Sequence, residues 1–263
     1  MITNRPEQTG QQDLIQKRLW STQNAEYHQR QFTEPYRSIV HLCDFVREQR
    51  GDVSAPRTAV DVACGAGQNM FWLSRLLQTT TFLGIDIADD LLDLGPTLIR
   101  ERDPLLLNRI TFRNADLYHI PDDLYGGFDL AFSVQTLSWL PSYEEPMRQM
   151  VKVVRPGGIL FVTSLFSRFL INTTTSVVGY SGQNLSDPNW GPHFYNVYSM
   201  ERFKWFCTKL GAKDVVDVEF EIDIELECQG TGMGTYTRRL SEGKLLQFSG
   251  PMLMPWRFVA ILL

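Results

Sequence analysis

Gly65, Gly67 and Asp86 are the residues whose types and spacing first suggest chemistry in this chain. The stretch Ala59–Asn69, AVDVACGAGQN, begins as a short apolar run suited to a buried strand and passes through small residues. It resumes as MFWLSRLL, with Met70, Leu73, Leu76 and Leu77 at helical spacing. The order is strand, tight turn, helix. Residues without side chains let a ligand lie almost on the backbone. The helix start beyond them offers unpaired N–H groups and the positive end of a dipole. About twenty residues later TTTFLGIDI rises as a second buried strand and ends in Asp86, where a βαβ unit places the acid that binds ribose hydroxyls. A glycine pattern alone more often marks a simple strand-to-helix turn. Loop and acid together imply a nucleoside.

A second cluster lies far along the chain. His193, Tyr195 and Tyr198 combine a group that titrates near neutrality with two phenols, which makes them candidate base and positioning groups. The competing reading of His193 is an ordinary surface-loop histidine. Cys64 sits inside the glycine loop, where a small side chain packed beneath a ligand is the expected role rather than a nucleophile. The four cysteines are widely separated, with neither the close pairs of a zinc site nor the density of a disulfide scaffold, so no metal site is expected.

Composition narrows the partners. A formal charge of -5 over 263 residues, with no basic run, disfavours a broad nucleic-acid surface. The polar start MITNRPEQTGQQ has no apolar core of the kind a signal peptide needs, and no apolar run is long enough to cross a bilayer. A cytoplasmic protein acting on a small molecule is the expectation, and its oligomeric state is not legible.

Several elements must position these residues. Residues 1–50 read as an N-terminal helical region and 51–263 as the main domain, with insertions at 165–199 and 228–245. The segment STQNAEYHQRQFTEPYRS is too polar for core, and SIVHLCDFVREQRG reads as a helix. ADDLLDLGPTLIRERD is helical with acids in its first turn, and Pro96 is expected to bend it after Leu94. RITFRNADL and FDLAFSV are further strands. In VVRPGGILFV a helix is expected to stop before Pro156, turn at Gly157-Gly158, and give a fifth strand from Ile159 to Val162. From Leu165 to Ser199 periodicity is lost, as in a long functional loop. Val216, Val218, Phe220, Ile222 and Ile224 alternate as the inward side of a long strand, and WRFVAILL reads as its buried partner.

DVACGAG, GID, NADL, FDLAFSVQTLSWL and RPGGILFV occur in the order seen in class I S-adenosylmethionine-dependent methyltransferases, and residues 58–165 resemble that family. Ala63 departs from its commoner glycine. The resemblance implies an α/β fold: a Rossmann-like three-layer sandwich around a mostly parallel seven-stranded sheet whose last strand is antiparallel, with residues 1–50 as a helical flap over the cofactor and inserted substrate loops. It implies S-adenosyl-L-methionine as cofactor, held by Tyr27, Arg30, Ala63, Cys64, Gly65, Gly67, Asn69, Asp86, Ile87, Leu91, Ala115, Asp116, Leu117, Val134 and Gln135. Asp116 would accept from the adenine amino group, the alternative being an Asx turn. Trp139 and Tyr236 are candidate substrate contacts. The implied activity is methyl transfer to an oxygen or nitrogen of a small polar molecule, such as a sugar. The alternatives are a cofactor-binding subunit without catalysis, and a nicotinamide-dependent oxidoreductase, which the missing third glycine between Gln68 and Phe71 disfavours.

Overall fold

Alternating strands and helices dictate a parallel sheet, because parallel neighbours can be joined only by long crossovers. The computed structural model describes residues 28–50, 55, 57–181, 184–220, 222–227 and 235–249, with the side chains of 179–193 left aside. Strands β1 (Arg57–Val62), β2 (Thr80–Asp86), β3 (Ile110–Asn114), β4 (Phe128–Val134) and β5 (Val154–Thr163) form one parallel sheet, in the order β3-β2-β1-β4-β5. Helix α1 (Arg37–Arg50) precedes it, α2 (Gln68–Leu76) joins β1 to β2, α3 (Asp89–Arg102) joins β2 to β3, and α4 (Glu144–Val153) joins β4 to β5. The chain moves outward from β1 to β3 and then returns to β4 on the other side of β1. The crevice beyond the carboxyl ends of β1 and β4 is therefore the topological switch point, where open α/β sheets bind ligands.

Period-2 alternation sends each strand's apolar side chains to both faces. On one face Ile39, Leu42 and Val46 of α1 join Met70 and Leu73 of α2 and Leu98 and Ile99 of α3 over Phe82, Leu130, Phe132 and Phe161. On the other, Met147, Met150 and Val153 of α4 pack with Val60, Val62, Ile85 and Ala131. Phe203 and Phe206 of α5 (Met200–Lys209) complete that layer. Ser199 caps α5 by accepting from the Arg202 N–H at 3.2 Å, as its position before the apolar spacing predicts. The expected three layers are present.

Three expectations change within these elements and loops. Helix α3 runs through Pro96 without interruption, because Leu91, Leu92, Leu98 and Ile99 bury its face on both sides of the missing N–H. Strand β5 starts at Val154, and Pro156-Gly157-Gly158 is a bulge within it: pairing jumps from Phe128–Val154 to Leu130–Ile159. The supposed loop 165–199 contains β6 (Phe166–Ser167), β7 (Ser176–Ser181), β8 (Asn184–Phe194) and β9 (Tyr198–Ser199). β7 and β8 form an antiparallel hairpin whose three register shifts erase the alternation that would have revealed it.

Five strands, not seven, make up the main sheet among the described residues. The expected strand at 213–226 is absent there, and Val216, Val218, Phe220 and Ile224 are exposed. Ion pairs hold this segment instead of a ladder: Asp217 to Lys204, Glu219 to Arg168 and Lys244, and Asp223 to Arg37. Its expected partner, residues 256–263, lies outside the described residues. The hairpin expected near 228–245 is realised as β10 (Thr235–Arg239) paired with β11 (Leu245–Ser249), while residues 228–234 lie outside the described residues.

Candidate functional site

The chain doubles back immediately after β1. The Cys64 N–H donates to the Ile85 carbonyl at 3.0 Å, and the Gly67 N–H to the Cys64 carbonyl at 2.9 Å. Gly67 has φ +84°, and a Cβ there would lie 2.7 Å from the Phe112 ring, so the turn excludes any side chain. Ala63 holds φ +60°, which is why glycine is the commoner residue at its position. Gly95 of α3 admits the loop from behind: a Cβ there would stand 2.6 Å from the Ala66 carbonyl oxygen. Above Gly65 the nearest atoms to an added Cβ are Gln68 Oε1 and His28 Cε1, both at 3.8 Å, and Leu91 Cδ1 at 3.9 Å. These are ordinary contact distances, so the side chains of His28, Gln68 and Leu91 border the loop at Gly65.

Two buried carboxyls flank the loop. Asp86 accepts from the Gly65 N–H at 2.8 Å through Oδ2 and from the Ala88 N–H at 2.9 Å through Oδ1. Burial raises its pKa, and the N–H groups of Ala88, Gly65 and Ile87 oppose the rise. Its lone pairs are not exhausted by these bonds. Asp61 is fully buried on β1, and neither oxygen has a hydrogen bond of good geometry among the described residues. Burial, and then the charge of Asp86, push it up to about 8, while the Asn69 amide favours the ionised form. Cys64 is buried, and the same desolvation, with Asp86 and Asp61 beside it, raises its thiol well above the usual range. It packs as a small apolar side chain and not as a nucleophile.

The segment before α1 lies over this loop. Phe32 is buried against Phe71, their rings 5.3 Å apart, and Trp72 Nε1 donates to the Gln31 carbonyl at 2.8 Å. The Tyr36 hydroxyl donates to Asn69 Oδ1, and His28 is buried beside Gly65. Burial lowers the pKa of His28. Sequence reasoning missed His28 and Asp61. A polar segment carries no period that could single out the first, and Asp61 is hidden inside an apolar strand. Tyr27 lies outside the described residues. Arg30 is exposed, has no ion pair among the described residues, and gives its carbonyl to the Thr33 N–H at 3.0 Å.

Beyond β2 and β3, Leu91, Ala115 and Leu117 are buried, and the half-buried Ile87 accepts at its carbonyl from Asn114 Nδ2 at 3.1 Å. The Ala115 N–H donates to the Asp86 carbonyl at 2.9 Å, which joins the two strand ends. Asp116 forms the Asx turn, accepting from the Tyr118 N–H at 2.8 Å, and its other oxygen meets His119 Nδ1 at 3.1 Å. Val134 is half-buried at the end of β4. Gln135, one residue on, has φ +57°, donates its N–H to the Thr163 carbonyl at 2.9 Å, and reaches Ser38 Oγ of α1 at 3.3 Å.

Trp139 ends the helical turn Leu137–Trp139 after β4, is 46% exposed, and faces the buried ring of Tyr195 at 5.1 Å. Tyr195 and Tyr198 of the proposed cluster have different surroundings. Tyr198 points into the core, where its hydroxyl donates to the Leu137 carbonyl at 3.2 Å and accepts from Asn196 Nδ2 at 3.1 Å. Its ring packs on Tyr143 at 4.7 Å, and burial raises its pKa, so it is a structural residue. His193 lies on β8 opposite Val177, and its side chain is outside what is described. Tyr236 stacks on Phe248 across the β10–β11 hairpin at 5.3 Å. A cavity of about 600 Å³ lies elsewhere, between α3 and the edge strand β3, and contains no glycine-loop residue.

Residues 59–158 match the sequence-family model for a methyltransferase domain. The matched span, less than half of the chain, carries a methyltransferase domain. It is 30% identical to the methyltransferase GfsG of Streptomyces halstedii over 132 residues, 49% of this chain and 45% of that protein. It is 29% identical to trans-aconitate 2-methyltransferase of Deinococcus radiodurans over 103 residues, 39% of this chain and 36% of that one. The chain thus spans less than half the length of these two curated relatives. Its fold is similar to that of phosphoethanolamine N-methyltransferase 2 of Haemonchus contortus, solved with phosphomonomethylethanolamine and S-adenosylhomocysteine. The TM-score is 0.56 at 13% identity, over 77% of this chain and 45% of that one. The methyltransferase domain contains the whole glycine loop, Asp61, Asp86, Asp116, Gln135 and Trp139. Tyr195 and the segment carrying His28 and Tyr36 lie outside the matched span. No helix among the described residues is long and apolar enough to cross a membrane.

Proposed function

We propose that the protein binds S-adenosylmethionine across the glycine loop and transfers its methyl group to an oxygen or nitrogen of a small molecule. The observation that carries this reading is the 2.8 Å bond from the Gly65 N–H to the Asp86 carboxylate at the switch point, which locks loop and acid into one cradle. In this reading the remaining Asp86 lone pairs accept from the ribose hydroxyls and Ala115 and Leu117 flank the adenine, while Asp116 keeps the Asx turn that shapes that edge. Asp61, buried without good hydrogen bonds, is a neutral carboxyl below about pH 8. His28 and Tyr36 close the cradle from the N-terminal side. When bound, the cofactor supplies a methyl carbon that is already electrophilic.

The chain's own residues then have to exclude water and align an acceptor lone pair with that carbon. Trp139, exposed and backed by the buried ring of Tyr195, offers aromatic surface at the carboxyl end of β4 for this purpose. A hydroxyl acceptor also needs its proton removed, and His193 is the candidate base. Calorimetry with S-adenosylhomocysteine tests the reading directly. Binding with a dissociation constant in the micromolar range is expected, weakened about 10- to 100-fold in Asp86→Ala, as loss of a charged hydrogen-bonding partner implies. No heat of binding to the wild-type protein would end the proposal.

A further inference from the structure

The segment leaving β5 carries a feature the cofactor site does not explain. Phe169, Leu170 and Ile171 are three consecutive large apolar residues with 69%, 81% and 60% of their surface exposed. Runs of this kind on a soluble surface are defects unless they bind something. The run is fixed on both flanks to the elements that bear Trp139 and Tyr195. Before it, Ser164 Oγ lies 2.7 Å from Ser138 Oγ, and β6 pairs with β9. After it, the Thr173 N–H donates to the Val197 carbonyl at 2.8 Å, and the Tyr195 N–H donates to the Thr175 carbonyl at 2.9 Å. The Asn196 N–H closes the circuit on the Ser138 carbonyl at 2.8 Å. The apolar run and the aromatic pair therefore belong to one framework at the ligand-binding end of the sheet.

Charge narrows what this surface receives. Arg168, adjacent to the run, and Lys244 both pair with Glu219, whose carboxyl is pulled down to about 2, chiefly by its hydrogen bonds with Arg168. With these cations spent on an internal partner, an anionic membrane surface finds little to hold here. A neutral hydrocarbon loses nothing by settling there.

We infer that the methyl acceptor is amphipathic, with its nucleophilic head at the crevice between β1 and β4 beside Trp139 and its hydrocarbon tail along Phe169, Leu170 and Ile171. This rests on the methyltransferase reading and replaces the polyhydroxylated acceptor that composition suggested. The test uses the full chain saturated with S-adenosylhomocysteine and titrated with 4-n-alkylphenols of two to ten side-chain carbons. The dissociation constant is expected to fall about threefold per methylene over the first several carbons, as burial of hydrocarbon requires. In Phe169→Ser/Leu170→Ser/Ile171→Ser that dependence flattens, while affinity for S-adenosylhomocysteine stays unchanged. A flat wild-type series, or a triple variant with the wild-type slope, overturns the inference and leaves the methyltransferase reading intact. Failure of S-adenosylhomocysteine to bind overturns both. If the triple variant instead converts a dimer to a monomer in sedimentation, or abolishes co-sedimentation with phosphatidylcholine–phosphatidylglycerol vesicles, the run serves a second copy or a bilayer and the inference falls.

Discussion

Ala63 and Gln135 each stand one residue beyond the ends of the paired neighbours β1 and β4, and both hold a positive φ, +60° and +57°. Among the described residues no other non-glycine does so. A left-handed residue with a Cβ costs about 1–2 kcal/mol, and such strain gathers where ligands are held. The two strained positions border the same switch-point crevice.

Relief of that strain is measurable at Ala63. Replacing it by glycine removes the steric cost but adds about 0.4–1 kcal/mol of unfolded-state entropy. Ala63→Gly is therefore expected to raise the melting temperature by about 2 °C, read by calorimetry. A lowered melting temperature would show that the methyl group makes packing contacts worth more than the strain.

Gly95→Ala should act on the loop from behind. Its new Cβ would fall 2.6 Å from the Ala66 carbonyl oxygen, and backbone cannot yield as a flexible side chain can. A destabilisation of about 1–3 kcal/mol in urea unfolding is expected, together with weaker binding of S-adenosylhomocysteine as the loop shifts. Unchanged binding would separate helix packing from the cradle.

Asp61 sets a slope of stability against pH. Its carboxyl titrates near 8 when folded and near 3.8 when unfolded, so over that window the folded chain holds the extra proton. Stability from this group is full below about pH 4 and is lost as pH rises toward 8. The melting temperature of the ligand-free protein is expected to fall across that range less steeply in Asp61→Asn. Parallel curves for the two proteins would mean that Asp61 is already ionised in the folded state.

His28 has the opposite sign. Its folded pKa lies below the ordinary 6.5, so the seat of the N-terminal segment is most stable above that value and weakens as pH falls through it. Amide exchange over residues 28–36, corrected for intrinsic rates, is expected to speed up between pH 7 and 5.5. In His28→Phe the acceleration should vanish, whereas its persistence would assign the opening to another group.

The sequence alone determined the parallel core and the glycine loop with Asp86, because buried strands, tight turns and amphipathic helices each impose a period or a residue type that survives in one dimension. RPGGILFV and GID were legible for the same reason, although the strand over 154–163 proved to contain the Pro-Gly-Gly bulge rather than to follow it. Tertiary structure decided what periodicity does not encode. It sent Tyr198 to the core and Tyr195 to Trp139, although only three positions separate the two tyrosines. It laid His28 and Tyr36 against a loop more than thirty residues away, and it held Val216 and Val218 in a segment tied by ion pairs instead of a sheet. Those outcomes depend on which surfaces meet across the sheet, and a contact between distant residues leaves no spacing in the chain.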